Sequence, residues 1–347
     1  MTKDYRSLAI KYRPQTFTDV TEQTITVKIL EKVIEQRSFK NVYLFSGKTG
    51  AGKTTVARIF AKAINNGIGE PIELDCASNN GVEDVRNIID SASQRALTGE
   101  YKIFILDECH AITTAGWQAF LKGIEETPKY TIFIFCTTEP AKIPATVLNR
   151  MQRFNFANIS VAGIRDRLKY ICQQEGFTNY DDTCDLIAKI SQGSMRDAIT
   201  SLEQCADLST DLSLENTKDL LGDFSYEIMM KLTNYLIDRD EAAIINFIEN
   251  MYNSGRDLKN FINVYLGFML DIIKYCLFRD INLTTIPAYL ETTPDNSINI
   301  KYTVGNGKDS LPFFNSIADL LLEIKTAIKN DPAYKSTIIV MLSKVAR

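Results

Sequence analysis

The run Gly47-Lys48-Thr49-Gly50-Ala51-Gly52-Lys53-Thr54 fits the pattern G-x-x-x-x-G-K-[ST] without a gap. It constrains the fold because of what must flank it. Val42-Tyr43-Leu44-Phe45, just before, reads as a buried strand, and Thr55 to Ile64, just after, reads as a helix. Strand, loop and helix in that order are the setting a phosphate-binding loop needs. Glycines let backbone N–H groups turn inward around a phosphate at the positive end of the helix. In that geometry Lys53 reaches the β- and γ-phosphates and the Thr54 hydroxyl holds Mg2+. Residues Gly47, Lys48, Thr49, Gly50, Ala51, Gly52 and Thr55 complete the expected cradle. A chance glycine-rich turn is the alternative, and the full match in the right context argues against it.

Further short β-rich runs lie at Ile103–Leu106 and Ile132–Cys136, with a weaker one at Ile72–Asp75. They are continuously apolar, as strands covered on both faces are. Helical stretches separate them, which predicts a parallel α/β sheet with helices on both sides. Ligands of such sheets sit at the carboxyl ends of the strands. The phosphate loop, Asp107 and Thr137-Thr138 all fall at such ends. The strand signal stops from about Val161. Small helices are expected at 164–175, 180–192 and 194–208, the size of a lid, and long amphipathic helices from about residue 223. The expected division is therefore 1–160, 161–222 and 223–347, the last an all-α packing or oligomerisation domain. Pro287, Pro294, Gly305 and Gly307 mark a loop between two helical groups in it.

Composition excludes some classes. The net charge of −4 does not advertise nucleic-acid binding, although Lys and Arg outnumber Asp and Glu over residues 1–60. Those charges are either a locally basic face or simply solvated. The seven cysteines include no C-x-x-C pair and there is a single histidine, so no structural zinc site is expected. Cysteines scattered through apolar stretches suggest reduced, buried thiols in a cytoplasmic protein. The start, Met1-Thr2-Lys3-Asp4, lacks an apolar signal core. The stretch from Phe261 to Phe278 is broken by Asn263, Asp271 and Lys274 and reads as a buried helix rather than a membrane span.

Several residues carry chemistry. Ile103 to Leu106 runs into Asp107-Glu108. Asp107 at the strand end can bind Mg2+, directly or through water, and Glu108 can polarise an attacking water. His110 suits positioning or packing better than proton transfer. Thr138 can contact the γ-phosphate or the water, or serve as a turn residue. Arg150 can cross a subunit boundary to a neighbour's phosphate, or sit in a surface salt bridge. Arg196 can report the γ-phosphate to the lid, or pair with Asp197 or Glu203 on its helix.

With these residues in place, the chain resembles the AAA+ ATPase family, and more closely the bacterial DNA polymerase III clamp-loader subunits of gamma/tau type. The resemblance runs from about Leu8 to Leu208. It rests on Lys11-Tyr12-Arg13-Pro14, the phosphate loop, Ala77-Ser78-Asn79-Asn80-Gly81, Asp107-Glu108-Cys109-His110, Leu121 to Pro128, Thr137 to Thr146, and Gly193-Ser194-Met195-Arg196-Asp197-Ala198. Residues 210–347 match only in general character, as a helical collar. The resemblance implies Walker B acids at Asp107 and Glu108, a first sensor at Thr138, a second at Arg196 and a trans-acting finger at Arg150. It places Ala9 and Arg13 at the adenine pocket. Asn79, Asn80 and Gly81 open a helix able to take a DNA phosphate on backbone N–H groups.

The implied activity is an ATPase, with ATP and Mg2+, that loads a sliding clamp onto primer–template DNA. Its implied partners are that clamp, the DNA and other clamp-loader subunits in a homo- or hetero-pentamer, with no membrane. A branch-migration or helicase motor and an ATP-binding scaffold with little turnover are the alternatives. Two departures stand out. Asn65 to Glu70 replaces the family's four zinc-binding cysteines, and Asn149-Arg150-Met151 stands where the family has Ser-Arg-Cys. The first removes the expectation of zinc, and the second leaves the placing of Arg150 open. The long tail of the tau form is not expected.

Overall fold

Apolar runs too short for helices become the strands of a single sheet. A computed structural model describes residues 7–217, 220–221, 226–284, 286, 289–295, 299–305 and 311–344. Its strands are β1 (Val42–Ser46), β2 (Ile72–Asp75), β3 (Lys102–Asp107), β4 (Thr131–Thr137) and β5 (Gln152–Asn155). All neighbours are parallel, in the order β2-β3-β4-β1-β5. Side chains alternate between the two faces. Val42, Leu44, Phe104, Leu106, Phe133 and Phe135 enter one apolar core. Tyr43, Phe45, Ile103, Ile105, Ile132 and Ile134 enter the other. Both faces are covered, and this is why the central strands read as unbroken apolar runs.

The helices of this unit are α1 (Leu8–Lys11), α2 (Thr24–Glu35), α3 (Lys53–Ile64), α4 (Val82–Ala92), α5 (Thr114–Glu125), α6 (Ala145–Leu148), α7 (Val161–Glu175), α8 (Asp181–Ile190), α9 (Met195–Leu208) and α10 (Leu214–Thr217). Leu30 and Val33 of α2 join Val56, Ala57 and Phe60 of α3 on one face of the sheet. Val85 and Ile88 of α4 join Trp117 and Phe120 of α5 on the other. The α7–α9 group begins where serines cap it. Ser160 accepts from Gly163 N and Ser194 from Asp197 N, each satisfying a first-turn N–H that the helix cannot.

Two readings of the sequence need correction. β2 is not covered on both faces: it is an edge strand paired only with β3, and Ile72 is 37% exposed. Its Ile-Glu-Leu-Asp alternation suits that position. β5 was not anticipated, because Gln152-Arg153-Phe154-Asn155 buries only Phe154. It forms because the chain leaving α6 runs back alongside β1.

Contacts divide the chain into residues 1–217 and 218–347. The described part of the second unit is helical: α11 (Tyr226–Ile237), α12 (Glu241–Asn253), α13 (Leu258–Phe278), α14 (Tyr289–Thr292), α15 (Ile300–Val304), α16 (Leu311–Ala327) and α17 (Tyr334–Ser343). α13 is long and apolar enough to cross a membrane. Its Phe261, Tyr265, Phe268 and Ile272 are instead buried in the core of this unit, packed with Phe314 and Leu321 of α16. The expected boundary at 222/223 lies outside the described residues, as do Met1 to Asp4, Pro287 and Gly307. Six of the cysteines are buried and all are free thiols.

Candidate nucleotide site

The carboxyl ends of β1, β3 and β4 meet at one edge of the sheet. The loop after β1 is tied to β4 by Gly47 N, which donates to the Thr137 carbonyl at 3.2 Å. Gly52 holds the left-handed conformation that starts α3 (φ 96°). Lys53 opens that helix and is 6% exposed. Its Nζ donates to the carbonyls of Gly47 and Lys48, both at 2.9 Å. Burial pulls its pKa down, while Glu108, Cys136 and Asp107 pull it back. A cation enclosed by loop carbonyls and flanked by acids is poised for an anion.

Thr54 Oγ1 donates to Asp107 Oδ2 at 2.7 Å. A hydroxyl and a carboxylate side by side are hard oxygen donors, which suit Mg2+ once phosphates and water complete its shell. The other Asp107 oxygen accepts the Glu108 N–H at 3.0 Å. Glu108 is held at φ 48°, an uncommon conformation for a residue with a side chain, and such strain concentrates at functional sites. Its Oε2 lies 3.5 Å from Thr138 Oγ1 and 3.2 Å from His110 Nδ1.

A cavity of about 410 Å3 opens here. Thr49 to Thr55, Asp107 and Glu108 line its phosphate end, and Ala9, Arg13 and Arg196 also border it. Val20, Ile159 and Ile199 add apolar wall suited to a base. Gly47 and Lys48 do not line the cavity and contribute through their carbonyls to Lys53.

The α7–α9 group closes on the loop directly. Met195 N donates to the Gly50 carbonyl at 3.2 Å. Gly50 has φ +75°, and a Cβ there would fall 2.0 Å from Ser194 Oγ. Only glycine allows both the turn and this approach. The N-terminal segment is bound to the same helices: Leu8 N donates to Glu203 (3.0 Å), Arg167 to the Tyr12 carbonyl (2.9 Å), and Tyr12 to Glu175. Burial and Glu175 together push the Tyr12 phenol well above its ordinary pKa.

Sequence reasoning missed Tyr12 and Arg167, which also line the cavity. Tyr12 stood beside Arg13 in the quoted motif. Arg167 gave no signal, because its position on α7 becomes a cavity wall only after the helix docks.

Of the other expected residues, Arg196 borders the cavity, whereas Thr138, Arg150, Asn79, Asn80 and Gly81 do not line it. Arg150 is ion-paired with Glu125 (2.5 Å) and donates to the Thr146 carbonyl (2.7 Å). Arg196 makes no ion pair with Asp197 or Glu203 among the described residues; Glu203 serves Leu8 instead. Asn79 and Asn80 precede α4 and Gly81 caps it. Asn79 Nδ2 donates to the Asp75 carbonyl at 2.8 Å, and Gly81 N donates to Asp84 at 3.1 Å.

Comparison with known proteins adds independent findings. The family model for the DNA polymerase III delta subunit matches residues 71–160, and that for the DNA polymerase III clamp loader subunit ATPase lid domain matches 163–209. DNA polymerase III subunit tau of Bacillus subtilis is 34% identical over 293 residues, covering 78% of this chain and 52% of that protein. Subunit gamma of Buchnera aphidicola is 30% identical over 288 residues, covering 77% and 79%. Subunit tau of Escherichia coli is 27% identical over 339 residues, covering 89% and 53%. The chain spans about half the length of the tau relatives it matches. Among solved structures, the Thermotoga maritima RuvB Holliday junction branch migration motor aligns with TM-score 0.53 and 17% identity, over 75% of this chain and 90% of that one. At that identity the likeness speaks for the AAA+ fold alone.

Proposed function

Since the chain belongs to the DNA polymerase III gamma/tau family of clamp-loader subunits, we propose that it binds and hydrolyses ATP to load a ring-shaped sliding clamp onto primer–template DNA. The observation that carries the ATPase part is the single cavity that brings together Lys53, Thr54, Asp107, Glu108 and Arg196. ATP fits its two-part wall, with loop N–H groups and Lys53 at one end and apolar side chains at the other. Mg2+, when bound, would supply positive charge to offset the negative charge developing in the reaction. Thr54 and Asp107 would hold it. Glu108 would orient and deprotonate the attacking water, and Thr138, 3.5 Å from its carboxylate, would steady both. Arg196 would sense the γ-phosphate from the first turn of α9.

Arg150 is proposed to act on a neighbouring subunit's nucleotide. Its exposure and its separation from the cavity of its own chain support that role. To do so it must leave Glu125, an exchange of one exposed ion pair for contact with phosphate, and exposed pairs contribute only about 0–1 kcal/mol. The start of α4 is proposed as a contact to the DNA backbone. Gly81 N–H already serves Asp84, so a phosphate there would be held by the next N–H groups of the turn. Partner subunits in a pentameric ring, and a cytoplasmic location, follow from the same reading.

Clamp affinity would depend on ATP because α9 and the phosphate loop touch, so a change at the phosphate is felt by the helices beyond it. The test is Glu108→Gln. It should keep ATP binding, lower turnover by about 10²–10⁴-fold, and retain the clamp on a pull-down in ATP. A Glu108→Gln protein that turns ATP over at the parent rate would overturn the assignment. One that binds ATP but never retains the clamp would point to a scaffold.

A further inference from the structure

The only histidine of the chain, His110, is placed against the acid assigned above as the base. It sits just after β3, in a short turn anchored by the fully buried Cys109. Nδ1 lies 3.2 Å from Glu108 Oε2 and 3.3 Å from Thr137 Oγ1 at the end of β4. A carboxylate only accepts, so Nδ1 is the donor toward Glu108. On the other side of the ring, Nε2 lies 3.6 Å from Glu139 Oε1. That same Glu139 oxygen accepts from Lys142 at 2.8 Å, and Glu139 N donates to Thr137 Oγ1 at 3.0 Å. The segment continues through the buried Ile143 into α6, and the Thr146 carbonyl of α6 holds Arg150.

The imidazole therefore touches one carboxylate, Glu108, and one hydroxyl, Thr137. One belongs to the nucleotide site, and the other to the start of the segment that ends at Arg150. Glu108 leaves β3 in a left-handed conformation and has a long, three-torsion side chain. Without a donor beside it, that carboxylate has no fixed direction. The Thr138 hydroxyl, at 3.5 Å, is too far to fix it alone.

We propose that His110 is the positioning residue for Glu108, and that through the Thr137 hydroxyl, which also accepts from Glu139 N, it couples the aim of Glu108 to the 137–150 segment carrying Arg150. It touches neither nucleotide nor water and exchanges no proton in the reaction. Its effect is on how often the Glu108 carboxylate points at the water. This inference rests on the ATPase reading given above.

The test uses the full chain with His110→Phe, His110→Gln, Thr137→Val and the His110→Phe/Thr137→Val double variant. Misdirected bases cost roughly 10–100-fold in rate. His110→Phe should lower kcat by roughly that factor, with KM and nucleotide Kd within about twofold of the parent. His110→Gln, which keeps an N–H donor, should recover most of kcat. The double variant should be no slower than His110→Phe, because the two residues act along one path. A second readout needs no nucleotide: as the sole imidazole, His110 gives one set of ring resonances, and these should move in Glu108→Gln and again in Thr137→Val.

Parental kcat in His110→Phe would overturn the proposal. So would equal losses in the Phe and Gln variants with KM raised in both, the mark of a merely structural role. Ring resonances indifferent to Glu108→Gln would overturn it as well. A parent protein that binds ATP but never turns it over is a different result: it would sink the ATPase reading itself.

Discussion

The chemistry of this chain is concentrated in a few side chains whose identities were legible and whose partners were not. The eight-residue loop announced Lys53 and Thr54, and an apolar run ending in two acids announced Asp107 and Glu108. No spacing rule could give the 2.7 Å bond between Thr54 and Asp107, because it depends on α3 and β3 meeting at one edge. That bond makes a prediction. Thr54→Ala should raise the Mg2+ concentration needed for half-maximal nucleotide binding by at least about tenfold, read by titrating Mg2+ against a fluorescent ATP analogue. An unchanged Mg2+ requirement would mean that the hydroxyl only caps Asp107. Arg150 shows the limit of reading residues singly. Its exposed pair with Glu125 is what a surface arginine does by default, and a finger acts only where a second subunit supplies the phosphate.

Among the elements, sheet and helices followed from hydrophobic periodicity, and the exceptions have physical causes. β5 buries one residue of its four and so carries no period. β2 alternates because it is an edge. Where burial is complete, removal is costly. Phe135 is fully buried between Trp117 and Phe120, at ring-centroid distances of 5.5 and 5.4 Å. Phe135→Ala should destabilise the first unit by about 3–5 kcal/mol, measured by denaturant unfolding; a loss below 1 kcal/mol would mean the site collapses around the gap.

The docking of α9 on the loop is the element-level feature that composition did not disclose. Glycine in the loop was expected for phosphate, yet Gly50 is also where Ser194 arrives. Gly50→Ala adds left-handed strain of about 1–3 kcal/mol and a clash with Ser194. It should weaken ATP binding by at least fivefold, and adding Ser194→Gly should restore part of that loss. If Ser194→Gly restores nothing, the defect lies in the loop's turn alone and the contact with α9 is incidental.

At the scale of the molecule, the first unit couples a nucleotide cavity to three attached parts: the N-terminal segment, the α7–α9 helices and the 137–150 segment. The first is tied through Tyr12 and Leu8, the second through Met195 and the third through His110. The second unit has its own apolar core. The AAA+ fold alone would serve a branch-migration motor as well. What separates the possibilities is which ligands the turnover responds to.

That response is the measurement to make: steady-state ATP turnover with a ring clamp and primed DNA, each added alone and then together. The expected result is weak basal turnover, strong stimulation only when both are present, and loss of that stimulation in Lys53→Ala and Arg150→Ala. Tight ATP binding with turnover that stays flat when clamp and DNA are both supplied would contradict the clamp-loading reading.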